Sequence, residues 1–333
     1  MTNQTMTQTV SLLDLINRFS GRRHLAERTR EYYTSILNNF AWYARANDWP
    51  ELEGITREHV SSFLDYVATE EHRWPSARRS AWKKATPATI HHYGQVIKAL
   101  FSWAEDEEYL ADNPLRRLKL GSPRYRDVEP YTDDEVYAML EVCSSDERFR
   151  YRYLGTRNRA IISLFVATGL RLNELTQITL SDLDPKLQQL RVMGKGAKLR
   201  VVPLNGEARK ALRRYLEVRP KGGDALWKSD DGQAMTRHGV KIMIVRLRRR
   251  AGVGGRGGPH RLRHYFATRF LEAGGDINTL RLLLGHSTLN MSLKYSRFVD
   301  MGKALASHEQ FSPLDRLYDR RNHRGGDGWG YRE

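Results

Sequence analysis

The chain has 333 residues, and its 55 Lys and Arg against 39 Asp and Glu give a formal net charge of +16. That length exceeds one small domain, so two domains are expected, each large enough to bury a core without disulfide staples. The charge points to an anionic partner, nucleic acid first, and no apolar run approaches the roughly 20 residues needed to cross a bilayer. Met1 to Thr9 is polar and uncharged, and so does not read as a signal peptide. Helices follow. Ser11 and Asp14 have capping-box-like spacing before Leu12, Leu13, Ile16 and Phe19. A second helix carries Tyr33, Ile36, Leu37, Phe40 and Ala44 on one stripe, and a third starts near Thr56 and repeats Val60, Phe63, Leu64 and Val67. A fourth opens with Thr86-Pro87, an N-cap followed by proline in the first turn, and presents Ile90, Tyr93, Val96, Ile97, Leu100, Phe101 and Ala104. Four such helices predict a compact all-α domain over residues 8–117. The basic, Trp-containing stretch Arg73 to Lys84 reads either as a solvated loop or as a DNA-facing one.

Residues 118–130 lack apolar periodicity, hold Gly121 and Pro123 with Lys119, Arg124 and Arg126, and read as a linker. Beyond it the pattern is mixed. Helices are predicted over Thr132 to Cys143 and Arg157 to Thr168. Cys143 falls on the apolar stripe Val136, Met139, Leu140 and Val142, so it reads as core. As the single cysteine it excludes an internal disulfide and suits a reducing compartment, so the expected location is the cytoplasm. A hairpin is predicted from Leu190-Arg191-Val192-Met193, a Gly194-Lys195-Gly196-Ala197 turn and Leu199 to Leu204. Helices resume near Glu207, Arg237, His260, Ile277 and Leu289. Gly252 to Gly258 is a loop. A second domain is expected over 131–315 and a flexible tail over 316–333.

Five short islands carry the chemistry. They are Ala167-Thr168-Gly169-Leu170-Arg171-Leu172-Asn173-Glu174-Leu175, Gly194-Lys195-Gly196-Ala197-Lys198, His260-Arg261-Leu262-Arg263-His264, Leu283-Leu284-Gly285-His286-Ser287, and Tyr295 within Ser292-Leu293-Lys294-Tyr295-Ser296. Transesterification of a DNA phosphodiester needs a nucleophile, cations for charge growing on the non-bridging oxygens, and an acid for the leaving oxygen. Arginine suits those oxygens because its fork bonds two at once. In order and spacing the islands resemble the signature of the tyrosine recombinases: an arginine in TGLR-x-x-E-L, a hairpin lysine, an H-x-L-R-H box, a histidine in LGH, and a tyrosine shortly after.

The resemblance implies a mainly α protein with a small β-sheet: a SAM-like, all-α core-binding domain and a mixed α+β catalytic domain, together forming a clamp around double-stranded DNA. It implies that Arg171 and Arg263 clamp the scissile phosphate and that Lys195 protonates the 5′-hydroxyl. It further implies that His260 and His286 complete the phosphate's hydrogen-bond shell, His260 also helping to deprotonate Tyr295. Tyr295 would attack and form a 3′-phosphotyrosyl link, with no metal, cofactor or ATP. Glu174 and His264 would orient neighbours. Four copies would pair two DNA sites and exchange strands through a Holliday junction, for integration or excision of a mobile element or for resolving replicon dimers. No membrane and no small-molecule substrate is expected. The simplest two-domain members of the family have this plan, and a first helix near Ser11 leaves no room for an arm-binding domain. Rival readings of the residues stand beside these. Lys198 is the alternative catalytic lysine. His260 and His264 also have metal-ligand spacing, but Arg261 stands where a zincin has glutamate, and Arg263 between them would repel a cation. Gly194 to Lys198 lacks the Ser or Thr of a phosphate loop. The run Arg246, Arg248, Arg249, Arg250 reads as a DNA-phosphate surface or a nuclear signal. At the level of function, the alternatives are a type IB topoisomerase-like DNA-relaxing enzyme, a non-catalytic DNA-binding protein of the same fold, and a metallohydrolase.

Overall fold

The structure is a computed structural model. It describes residues 10–22, 25–74, 82–123, 129–149, 151–194, 198–255, 257–286, 288–293 and 295. Lys195 with its turn, and the whole chain from 296 onward with the predicted tail, lie outside the described residues. The chain divides into two compact units between Asp127 and Val128. Among the described residues no helix is long and apolar enough to cross a membrane.

The first unit is helical: α1 (Leu12–Ser20), α2 (Glu27–Ala46), α3 (Arg57–Thr69) and α4 (Pro87–Asp106). Its helices begin where side chains can satisfy the orphan N–H groups of a first turn. Ser11 accepts from the Asp14 N–H at 3.1 Å, and Thr86 accepts from Thr89 at 3.2 Å. Thr56 forms a capping box in which His59 takes the place of glutamate: the Thr56 N–H donates to His59 Nδ1 at 3.1 Å. The apolar stripes meet in one core. Phe40 lies at its centre, edge-on to Phe63 at 5.2 Å and to Phe101 at 6.4 Å. Trp74, from the basic stretch, stacks on Tyr93 at 6.0 Å and packs against this core. That indole is therefore structural, whereas Trp82 stays exposed and packs on His72. The segment read as a linker starts inside the core: Leu118 is buried, and Leu120 lies so close to α4 that a Cβ at Gly94 would come within 2.4 Å of it.

The second unit contains α5 (Asp133–Phe149), α6 (Arg152–Thr168), α7 (Leu172–Thr176), β1 (Gln189–Met193), β2 (Leu199–Pro203), α8 (Gly206–Val218), α9 (Arg237–Arg250), α10 (Pro259–Glu272), α11 (Ile277–Leu284) and α12 (Asn290–Leu293). The protein is thus mainly α, and the described residues hold one antiparallel two-stranded sheet in which Leu190 pairs with Val202 and Val192 with Arg200. Helix α6 runs through the centre, with Ile161, Ile162, Leu164 and Phe165 all buried. Cys143 packs in the same core, where burial pushes its thiol up to about 12. Helix α5 outruns its predicted end at Cys143. The apolar stripe stops there, but Asp146 is buried and both its carboxylate oxygens accept from Arg250, at 2.6 and 2.7 Å. Trp227 stacks on Tyr215 at 5.2 Å and donates its indole N–H to Leu175 O at 2.9 Å, which fastens the end of α7 to the core.

Candidate active site

Four of the six residues singled out in the sequence meet where α6, α7, α10 and α11 come together. Helix α6 ends at Gly169, which is left-handed with φ +60°. A turn this tight favours glycine, and here space forbids a side chain as well. A Cβ at Gly169 would lie 2.4 Å from Phe266 and 2.7 Å from Leu284. Gly169→Ala is therefore expected to cost about 1–2 kcal/mol for the backbone and about 1–3 more for overpacking. The check is the urea midpoint, which should fall; an unchanged midpoint would show that the turn relaxes freely.

The Gly169 turn sets Arg171 at the N-cap of α7. Its N–H donates to Glu174 Oε2 at 2.7 Å and its Nη1 to Glu174 Oε1 at 2.9 Å, while Nη1 and Nη2 stand 3.4 Å from the Leu284 and Gly285 carbonyls. The Arg171 side chain is still 31% exposed. Arg263, on α10, is deeply buried. Its Nη1 donates to Gly169 O at 2.6 Å, and its Nη2 to Leu284 O at 2.8 Å and to His286 Nε2 at 2.9 Å. Burial, and then the charge of Arg171, push its guanidinium down to about 10, which leaves it charged at neutral pH. Because Arg263 donates to His286 Nε2, the proton of a neutral His286 sits on Nδ1 and is donated to Ser292 Oγ at 2.7 Å. The guanidinium, which can only donate, thus sets the tautomer, and the buried Ser292 hydroxyl on α12 accepts the remaining proton.

Tyr295 is 1% exposed and packs with Ala267, Leu271, Leu280 and Leu284. Its ring lies edge-on to His264 at 5.2 Å and parallel to His286 at 6.3 Å. Burial raises its pKa, while the charge and hydrogen bond of Arg263 and the charge of Arg171 oppose that rise. Burial prevails, so the phenol keeps its proton until a base takes it, and the two cations beside it lessen the cost of that step. His260 is exposed in the first turn of α10, and His264, one turn on, faces Tyr295. Arg261, between them, points elsewhere. It donates to Glu129 O, Pro130 O and Glu135 Oε2 and lies 4.0 Å over the Tyr131 ring, anchoring the chain's entry to this unit.

One half-buried charge at the site did not stand out in the sequence. Arg200, on β2, donates Nη1 and Nη2 to the two oxygens of Glu174 at 3.0 and 2.9 Å, and Nε to Leu283 O at 3.1 Å. Burial would raise the Glu174 carboxyl, but the Arg200 hydrogen bonds, the Arg171 N–H and both guanidiniums outweigh it and hold the group at about 2. The only signal for Arg200 was a charged residue within a strand that was otherwise apolar.

The chain matches known proteins along most of its length. The family described as "Phage integrase family" matches residues 131–300, and "Phage integrase, N-terminal SAM-like domain" matches residues 12–110. Tyrosine recombinase XerD of Pseudomonas aeruginosa is 31% identical, over 85% of this chain and 92% of the relative. Tyrosine recombinase XerC of Syntrophus aciditrophicus is 28% identical, over 88% and 94%. Among solved structures, XerH site-specific recombinase bound to palindromic difH substrate (post-cleavage complex) superposes with a TM-score of 0.67 at 23% identity, covering 90% of this chain and 84% of that one. The Tn1549 transposon integrase in complex with circular intermediate DNA gives 0.66 at 21%, covering 90% and 99%. At such identities the structural likeness speaks for the fold.

Proposed function

This chain belongs to the phage integrase family of tyrosine recombinases, and on that premise we propose that Tyr295 is the nucleophile with which it cuts and rejoins DNA. It is a site-specific recombinase, and its partner is double-stranded DNA; the Tn1549 transposon integrase is likewise in complex with DNA in its solved structure. The observation that carries the assignment is the buried Tyr295 hydroxyl beside Arg263, within the field of Arg171.

The Tyr295 oxygen attacks the scissile phosphorus, the bond from phosphorus to the 5′ oxygen breaks, and a 3′-phosphotyrosyl bond forms. Arg171 and Arg263 hold the non-bridging oxygens as negative charge grows there. His286, held by Arg263 at Nε2 and by Ser292 at Nδ1, completes the phosphate's hydrogen-bond shell when a proton on Nε2 replaces the bond from Arg263. His260 helps remove the Tyr295 proton, and Lys195 delivers one to the departing 5′ oxygen. Glu174 and His264 orient Arg171 and Tyr295. In the second half an incoming 5′-hydroxyl attacks the phosphotyrosine and Tyr295 leaves. The number of phosphate ester bonds is conserved, so no ATP is required. The residues from 8–117 and from 131–315 form the core-binding and catalytic domains, joined by 118–130. Four copies act on two paired sites through a Holliday junction, in the cytoplasm, where Cys143 stays reduced.

The test uses a nicked suicide substrate, from which the cleaved strand's short end diffuses away. A covalent protein–DNA adduct should form at the same rate in excess EDTA, since guanidiniums and a lysine take the role a metal ion would have. Loss of the adduct in EDTA, with recovery on adding Mg²⁺ or Zn²⁺, would replace this reading with a metallohydrolase.

A further inference from the structure

We infer that Arg200 is a positioning residue for the cleavage step: it occupies both oxygens of Glu174 and so keeps the Arg171 fork available to the scissile phosphate. This rests on the roles given above to Arg171 and Tyr295.

Among the described residues, three guanidiniums, those of Arg171, Arg200 and Arg263, share this pocket with a single carboxylate, Glu174. The Arg200 side chain is 14% exposed and that of Glu174 5%. Arg200 meets the carboxylate fork to fork, at 3.0 and 2.9 Å. That is the strongest geometry the two groups can form. Arg171 meets the same carboxylate differently, through its backbone N–H and one side-chain nitrogen. With Arg200 in place, Glu174 has no second oxygen edge to offer the Arg171 fork. Without it, one buried carboxylate would face Arg171 alone, and the two would close into a bidentate pair. Such a pair would neutralise the charge that must meet the phosphate. The surplus of positive over negative charge here is what a phosphodiester requires as it gains a second negative charge in the transition state.

Backbone contacts point the same way. Arg200 Nε holds Leu283 O at 3.1 Å, while the next carbonyl, Leu284 O, accepts from Arg263 at 2.8 Å. Arg200 thus braces the last turn of α11, from which the chain runs to His286. Gly285 makes room for it: its φ is +62°, and a Cβ there would lie 3.1 Å from Arg200 Nη1. The competing role for Arg200 is packing of the hairpin on α11. A packing residue alters the fraction of protein that folds, not the rate constant of the folded complex.

The experiment is single-turnover cleavage of the nicked suicide substrate with protein in excess, reading amplitude and rate constant separately, alongside a gel-shift affinity for one site. Arg200→Ala should slow the rate constant by about 10²-fold and Arg200→Lys by about 10-fold, since lysine keeps the charge but not the fork. Single-site affinity should change far less, because many other cations share the phosphate contacts. In a Glu174→Gln background, Arg200→Lys should add less than about 3-fold, because the carboxylate it manages is already gone. Wild-type rate constants with reduced amplitude would overturn the proposal in favour of packing. Full multiplication of the two effects would overturn it in favour of Arg200 touching the phosphate itself. If the wild-type chain forms no adduct, the reading of Tyr295 fails instead, and the two failures are told apart within one gel.

Discussion

Arg263→Ala is expected to slow DNA cleavage by about 10²–10³-fold while leaving affinity for a single site nearly intact. The rate falls because Arg263 supplies donors that strengthen as charge accumulates on the phosphate, and because its charge opposes the burial that raises Tyr295. Affinity persists because a chain with a net charge of +16 spreads its phosphate contacts over many side chains. Part of the loss is structural. Arg263 also ties Gly169 O to Leu284 O, and each loses a buried hydrogen-bond donor in the variant. Arg263→Lys separates the two effects: it keeps a buried cation but cannot reach both carbonyls and the phosphate together. A rate constant within a few-fold of wild type in both variants would place the phosphate clamp elsewhere. Arg171→Ala should show a similar fall in rate with less loss of stability, since its side chain is the more exposed of the two.

Much of the architecture could be read before any coordinates, for local reasons. The caps Ser11, Thr56 and Thr86 bond backbone groups three residues away, and stripes such as Ile36, Leu37 and Phe40 repeat with the turn of the helix. The hairpin was legible from two short runs flanking the Gly194-Lys195-Gly196-Ala197 turn, and the fold class from the resemblance. What escaped was non-local. The last turn of α5 depends on Asp146 meeting Arg250 from α9. Helix α7 has 5 residues, too few to show a period. Arg200 reads as a surface strand residue until Glu174 is brought beside it. The bonds that hold Arg263 end on carbonyls of Gly169 and Leu284, and backbone atoms leave no mark in a sequence. The site residues were named through family order and spacing; their meeting point, the neutral tautomer of His286 and its link to Ser292 come only from the fold. Lys195 and the segment after Tyr295 lie outside the described residues, so their roles stand on the resemblance alone.

Tyr295→Phe has the largest expected effect, because only a hydroxyl can form the phosphotyrosyl bond. The substitution removes one oxygen and keeps the ring that packs on Ala267, Leu271 and Leu284, so the fold and the edge-on contact with His264 should persist. The most direct measurement incubates wild type and variant with the nicked suicide substrate, then separates protein from DNA on a denaturing gel and maps the modified peptide. Wild type should yield a covalent adduct on the peptide containing Tyr295. The variant should shift the same DNA in a native gel and yield no adduct at all. An adduct in the variant, or a wild-type adduct on any other residue, would contradict the assignment of Tyr295 as the nucleophile.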